Sequence, residues 1–246
     1  MNERHKAILR LLSHDNKVSV LNLSTSLKVS GVTIRQDLRY LEEHGLLKKV
    51  HGGAVLNKSD RISNRMAFNY EEKVKIAQKA AEFVSDGETI FIESGSVNAL
   101  LAKELIKKKK VTILTSNIYI ARELRKNKEI NILIMGGLYQ NQSESLVGKL
   151  TSLCIKHVNF SKAFIGIDGF SPEAGFTSRD MLRAETTSAI VEKSKKTFVL
   201  TDSTKFDKVA LTKICSTADI DCLITDGIPA EAKENLERNN IEVIVV

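Results

Sequence analysis

The sequence predicts two units: a small α+β unit over residues 1–56 and a larger α/β domain with a mainly parallel sheet over residues 70–246. Three observations carry this expectation. The chain of 246 residues has 37 Lys+Arg against 30 Asp+Glu, a net charge of +7, and the first 56 residues alone hold nine bases and five acids. That segment also spaces its apolar residues as helices do, has no proline, and shows no strand-like run before Leu46. From Tyr70 onward, short apolar runs alternate with helical stretches, the pattern of β-α-β units. Between the two, residues 57–69 (NKSDRISNRMAFN) lack clear periodicity and read as a linker.

Composition excludes several classes of function. An apolar content of 42% is enough for an ordinary globular core. The longest apolar runs, Ile132–Met135 and Val243–Val246, fall far below the ~18 residues of a membrane-spanning helix. The polar start, Met1–Arg10, does not read as a secretory signal. Cys154, Cys215 and Cys222 are odd in number and form no close pair, so neither a disulfide framework nor a Cys-rich zinc site is expected, and a reducing cytoplasm fits best. The five histidines show no metal-binding spacing, and no cofactor or metal is expected. The basic excess suggests a polyanionic partner.

In the N-terminal unit, Ile8, Leu11 and Leu12 predict a helix over residues 3–13. Val20, Leu23 and Leu27 predict a second over 20–27, with Ser19 as N-cap. Only Lys28, Val29 and Ser30 separate it from a third, in which Ile34, Leu38 and Leu41 repeat at i, i+4, i+7. Ser30 is a good N-cap and Gly45, after His44, a good stop. A short helix, a tight turn and a longer helix make a helix-turn-helix. Leu46–Val50 and Ala54–Leu56 then flank His51-Gly52-Gly53 as a hairpin, the wing of a winged helix.

At 100° per residue, Ile34, Leu38 and Leu41 share one direction, while Val32, Gln36, Arg39 and Tyr40 point away, with Thr33 and Arg35 on the flanks. That outer face suits a DNA major groove: Gln pairs with an adenine edge, Arg with guanine, and Val meets a thymine methyl. Ser30, Thr33 and the helix N-terminus suit phosphate oxygens, and Lys48, Lys49 and His51 on the wing would add backbone contacts. A bare packing module would show a similar polar face, but it leaves Val32 unexplained.

In the larger unit, helix 71–84 precedes strands at Thr89–Ile92, Val111–Leu114, Ile130–Met135, Lys162–Ile167, Thr197–Leu200, Cys222–Thr225 and Glu242–Val245. Helices follow at Val97–Ile106, after Asn117, and at Ala230–Asn239. Ligands of such sheets bind beyond the carboxyl ends of the strands. There Ser94-Gly95-Ser96 leads into a helix and makes an anion nest, Ser116-Asn117 repeats the arrangement, Lys205 offers a point charge, and Asp168 offers an acceptor for sugar hydroxyls. Each is ordinary loop chemistry alone. Together they suggest a phosphorylated small ligand.

The string VSGVTIRQDLRYLEEHGLLKKVHGGA (Val29–Ala54) resembles the signature of the DeoR family of bacterial transcription regulators, in its TIR-x-DL core, its LE-x-x-G and its HGGA wing. Family members usually carry Arg where this chain has Gln36. The resemblance continues through ESGSVN (Glu93–Asn98), TSN (Thr115–Asn117), MGG (Met135–Gly137), GIDGF (Gly166–Phe170) and DSTKF (Asp202–Phe206), with Glu93 in place of the usual Asp and Val97 in place of a hydroxyl residue. It implies a sensor domain similar to sugar-phosphate isomerases, a phosphorylated sugar or polyol as effector, and Gly136, Gly137 and Gly169 beside the ligand. The expectation is a repressor of a sugar-catabolic operon, acting as a homo-oligomer on double-stranded operator DNA and released by that effector. The alternative is an isomerase-like enzyme with an accessory DNA-binding domain. Asp168, Glu185 and Lys205 are the only candidates for its chemistry, and one carboxylate stands where such an enzyme carries an additional acidic pair.

Overall fold

The computed structural model describes every residue except 1, 16, 44, 58, 59, 107–109 and 126. It divides by contact into residues 1–70 and 71–246. The first helix, α1 (Glu3–Asp15), runs two residues beyond expectation and buries Ile8, Leu9 and Leu12. After β1 (Lys17–Ser19), Ser19 Oγ accepts from Asn22 N at 3.0 Å and starts α2 (Val20–Leu27). Lys28 takes a left-handed conformation that ends α2, and Ser30 Oγ accepts from Thr33 N at 3.1 Å at the start of α3 (Gly31–Glu43). Ile34, Leu38 and Leu41 are buried as the spacing requires. Gly45, with φ +71°, donates to Glu42 O while Leu46 N donates to Leu41 O; this paired closure explains why the helix stops. His44, expected as its last residue, lies outside the described residues.

The wing is β2 (Leu47–Val50) and β3 (Gly53–Leu56), and β1 adds to it antiparallel in the order β1-β3-β2. This corrects the expectation of no strand before Leu46. Three residues are too few to show alternation; β1 exists because β3 presents an open edge. A Cβ on Gly53 would collide with the Val18 carbonyl oxygen, so only glycine permits this pairing. Residues 57–69 are not a bare linker either. They contain α4 (Ile62–Ala67), which buries Ile62, Asn64, Met66 and Ala67. Lys58 and Ser59 of that span lie outside the described residues.

Beyond α5 (Tyr70–Glu82), the chain builds β4 (Thr89–Ile92), α6 (Ser96–Leu105), β5 (Thr112–Thr115), α7 (Ile118–Leu124) and β6 (Asn131–Ile134). A hairpin of β7 (Leu138–Gln140) and β8 (Ser145–Val147) leads to α8 (Lys149–Lys156) and β9 (Lys162–Ile165). Then come β10 (Gly169–Ser171), β11 (Gly175–Ser178), α9 (Met181–Lys193), β12 (Lys196–Leu200), β13 (Thr212–Cys215), β14 (Cys222–Thr225), α10 (Ala230–Arg238) and β15 (Glu242–Val245). Seven strands form one parallel sheet in the order β15-β14-β12-β9-β4-β5-β6, and β10-β11-β13 form a small antiparallel sheet. The core lies against the large sheet, with Phe164 and Phe198 stacked at 4.9 Å. Burial pushes the Cys215 and Cys222 thiols up to about 12, so both are inert at neutral pH. Among the described residues, no helix is long and apolar enough to cross a membrane.

The winding of this sheet places a crevice. The chain enters at β4, winds outward through β5 and β6, then returns to the other side of β4 with β9 and continues to β15. The direction reverses between β4 and β9, and the gap beyond their carboxyl ends is the topological switch point where open α/β sheets take ligands.

Candidate nucleic-acid interface and ligand crevice

On α3, the burial of Ile34, Leu38 and Leu41 turns Val32, Gln36 and Arg39 outward, and Val32 is 63% exposed. Ser30 is exposed at the helix start, its hydroxyl 2.9 Å from that of Thr33. Arg35 and Arg39 face the wing. With Lys49, His51, Leu38 and Val50 they line a groove of about 440 Å³ between helix and hairpin. Among the described residues, Arg35, Arg39 and Lys48 make no ion pair. Lys49 differs: its Nζ lies 3.3 Å from Glu42 Oε2 and its backbone N–H donates to Glu42 Oε1 at 2.8 Å, which fixes the wing to α3.

Tyr40 is exposed, as the outward assignment expects, but it also has a partner on another helix. Its ring stacks on His5 of α1 at 4.6 Å, so it stands at the border of the outer face. The helical wheel did not show this partner because only the Ile34 side was assigned to the core. In fact α3 also packs along its Asp37–Tyr40 flank. Asp37 is buried and accepts from Arg4 Nε at 2.5 Å, Arg4 Nη2 at 3.0 Å and His5 Nε2 at 3.0 Å. Burial alone would raise this carboxyl, but the hydrogen bonds and charges of Arg4 and His5 outweigh it and hold it below the usual carboxylate range. Sequence reading missed Asp37 because its partners lie on another helix.

In the larger unit, three loops meet at neighbouring strand ends: Glu93–Ser96 after β4, Gly166–Asp168 after β9, and Thr201–Lys205 after β12. Glu93 is buried and joins the first two. Its Oε2 accepts from Gly166 N at 3.2 Å and its Oε1 from Ser94 Oγ at 2.5 Å. Gly95 caps α6 without a side-chain bond, so the first N–H groups of that helix face the crevice end of the sheet. Asn98, in the same first turns, donates to the Glu93 and Phe164 carbonyls, while its buried Oδ1 has no hydrogen-bond partner among the described residues.

Lys205 ends a single 3₁₀ turn that Asp202 caps, with Asp202 Oδ1 accepting from Thr204 N at 3.2 Å. Asp202 also pairs with Lys73 of α5, Nζ to Oδ2 at 3.4 Å, and the two side chains are 6% and 5% exposed. Burial pushes the Asp202 carboxyl up, yet Lys73, the Thr204 hydroxyl and Lys205 together bring it below its ordinary value. Lys73 was invisible in the sequence, where it reads as a surface residue of an amphipathic helix.

Not all expected crevice residues converge. At ~4.8 Å per strand, the end of β6 lies about 10 Å from that of β4. Gly136 and Gly137, which follow β6, therefore stand apart from the three-loop cluster. Gly137 serves packing, because a Cβ there would collide with Thr151 Oγ1. Gly169 likewise lies too close to the Lys208 carbonyl for a side chain. Asn117 is buried and occupied: it caps α7 by accepting from Ile120 N and donates to Ser143 O. Beside it, the Ser116 carbonyl accepts from Leu146 N. Asp168 is held by Arg179, whose backbone N–H and Nη2 each lie 3.0 Å from a carboxylate oxygen. Among the described residues no cluster of His, Cys, Asp and Glu could hold a metal ion.

Two family models cover these units: a DeoR-like helix-turn-helix domain matches residues 4–60, and a DeoR C-terminal sensor domain matches residues 68–227. The chain belongs to the DeoR family. It is 38% identical to the HTH-type transcriptional regulator GolR of Listeria innocua, over 92% of this chain and 90% of that protein. It is 33% identical to the HTH-type transcriptional regulator IolR of Bacillus subtilis, over 87% and 86%. It is 30% identical to the glycerol-3-phosphate regulon repressor of Escherichia coli, over 92% and 91%. A ribose 5-phosphate isomerase A of Methanocaldococcus jannaschii shows a partial likeness, with TM-score 0.41 and 18% identity over 56% of this chain and 55% of that one. At that level the likeness carries no weight for the site. As a DeoR-family member, the chain is a DNA-binding transcriptional regulator with a helix-turn-helix domain and a sensor domain.

Proposed function

We propose that this regulator is a repressor whose α3 reads operator DNA and whose strand-end crevice, on binding a phosphorylated sugar or polyol, releases it. The observation that carries the DNA half is the sorting of charge on α3. Of its three acids, Asp37 and Glu42 are engaged by Arg4, His5 and Lys49 and Glu43 sits at its C-terminal end, whereas Arg35 and Arg39 face outward without an acidic partner among the described residues. Gln36, Arg39 and Val32 would read bases; Ser30, Thr33, Arg35, Lys48, Lys49 and His51 would hold phosphates, with Tyr40 at the border.

For the ligand half, Ser94, Gly95 and Ser96 at the start of α6 offer N–H groups and hydroxyls to a phosphate, at the sheet's switch point. Lys205 adds a charge, and Asn98 Oδ1 is a buried acceptor that a ligand hydroxyl would satisfy. The E. coli relative is a repressor of the glycerol-3-phosphate regulon, which supports a phosphorylated polyol or sugar as the class. Paired copies would place two α3 helices on a repeated operator. Reversing a 99:1 population of DNA-competent molecules requires about 5.5 kcal/mol of differential ligand binding.

The enzyme reading is disfavoured by Asp168. Its Oδ2 accepts from the Arg179 backbone N–H, and its Oδ1 lies 3.0 Å from Arg179 Nη2 in a charge contact that is not a hydrogen bond, so the carboxylate is already committed to tying two loops together. The test is a thermal-shift series of sugar phosphates alongside operator release. A true effector at 100 times its Kd adds about 2.7 kcal/mol to stability. Lys205→Ala and Ser94→Ala should keep operator binding and lose that shift. If both retain it, the crevice is misassigned. Isomerase turnover abolished by Asp168→Asn would restore the enzyme reading.

A further inference from the structure

In the large sheet the ends of β9, β4 and β5 lie side by side, in that order. The segment between β11 and α9 spans the middle one. On one side, Asp168, just past β9, donates its N–H to Thr177 O at 2.9 Å and accepts from the Arg179 N–H at 3.0 Å. On the other, Asp180 accepts from Gln140 Nε2 at 2.8 Å, Ser143 Oγ donates to Gln140 Oε1 at 3.1 Å, and Asn117, just past β5, donates to Ser143 O at 2.9 Å. The β9 and β5 ends are about 10 Å apart, with the β4 end between them. Arg179 and Asp180 therefore reach across the end of β4, where Ser94-Gly95-Ser96 opens α6. Their backbone is fixed there. Ser178 Oγ accepts from Asp180 N at 3.2 Å, and Asp180 Oδ1 accepts from Arg183 N at 2.9 Å to cap α9. The guanidinium is anchored as well, with Nη2 3.0 Å from Asp168 Oδ1, yet the Arg179 side chain is 56% exposed against 6% for Asp168.

We infer that Arg179 clamps the effector's phosphate against the first N–H groups of α6. The inference rests on the phosphate reading of the proposed function and names the cation that completes that site. Position favours Arg179 over Lys205 for this task. Lys205 follows β12, two strands from β4, whereas Arg179 is tied to the end of β9, the adjacent strand. Chemistry favours it too. A planar guanidinium offers paired N–H groups to phosphate oxygens, and one already anchored by a carboxylate loses little freedom on binding. The helix start carries its own mark of a ligand. Asn98 is 1% exposed and lies against it, since a Cβ on Gly95 would stand 3.3 Å from Asn98 Nδ2. The Asn98 Oδ1 has no hydrogen-bond partner among the described residues. A ligand hydroxyl beside the clamped phosphate would satisfy it.

The test titrates inorganic phosphate into the full chain and follows it by phosphorus-31 NMR line width, because phosphate alone needs only the anion site. Arg179→Gln should raise the apparent Kd at least ~10-fold, through loss of charge-assisted hydrogen bonds. Arg179→Lys keeps a charge beside Asp168 but not the fork, and should raise it about threefold. Arg238→Gln, at an exposed pair on α10, is the control and should match wild type. Circular dichroism checks folding; should the Gln variant lose it, the Lys variant decides. Wild-type affinity in every folded Arg179 variant overturns the clamp and leaves the phosphate site standing. A wild type that binds no phosphate overturns both.

Discussion

Replacing Lys73 by Met removes the positive end of a buried ion pair and leaves Asp202 under the same cover. Removing one partner of such a pair costs about 3–5 kcal/mol, because the remaining charge is stranded. Here Asp202 keeps the Thr204 N–H and hydroxyl and the nearby charge of Lys205, and the Lys73 contact is a moderate 3.4 Å. The expected loss is therefore about 3 kcal/mol, at the lower end. For a unit of this size, that lowers Tm by roughly 6–12 °C. The pH dependence gives the sharper signature. In the wild type, the Asp202 carboxyl lies below its ordinary 3.8, so its contribution is present above that value and is lost as pH falls through the folded-state value. In the Met variant, burial prevails and the carboxyl rises, so acid relieves the strain instead. The gap between the two proteins should be widest near neutrality and shrink below about pH 4. Thermal unfolding followed by far-UV circular dichroism at several pH values reads it out, with Asp202→Asn completing a double-mutant cycle. A gap under ~0.5 kcal/mol, or one that does not change with pH, or strict additivity in the cycle, refutes the reasoning.

Asp37→Asn should destabilise the first unit by about 2 kcal/mol, because the charge that Arg4 and His5 share is gone. Denaturant titration should also show that the wild type loses this advantage as pH falls through a value below the ordinary carboxylate range, while the variant does not respond there. Arg39→Ala should cost ~1–3 kcal/mol of operator binding and relax discrimination at one base, whereas Lys48→Ala should weaken all duplexes alike and reduce the salt slope by about 1; band-shift titrations at several salt concentrations separate the two. Gly53→Ala should disrupt the wing, since its methyl would strike the Val18 carbonyl; amide exchange in residues 17–19 should rise and operator affinity fall together.

Local chemistry was legible in the sequence wherever cause and effect lie within a few residues. Ser19 and Ser30 announce helix starts because their hydroxyls take N–H groups three positions on. Gly45 announces a stop because its left-handed φ closes the helix. Continuous apolar runs such as Cys222–Thr225 read as strands because a parallel sheet buries both faces. What escaped depends on distant partners. Nothing local to Lys73 or Asp37 shows that Asp202 or Arg4 folds onto it. Helix α9 was missed because it buries Arg183, Thr186 and Thr187, polar residues that mask its apolar spacing. The short strands β10 and β11 hold too few residues to show alternation. Gly137 stood out as part of a glycine pair, but its reason is the proximity of Thr151, which only the fold reveals.

The central claim is that the outward face of α3 selects a DNA sequence and that a phosphorylated ligand, held at the β4–β9 crevice, ends the selection. The most direct measurement is fluorescence anisotropy of the protein on its own promoter fragment against a random duplex of equal length, at physiological salt, with and without sugar phosphates. The account predicts a preference of ~10³ or more for the promoter that one of these compounds abolishes. Equal affinity for both duplexes, unaltered by any of them, contradicts it.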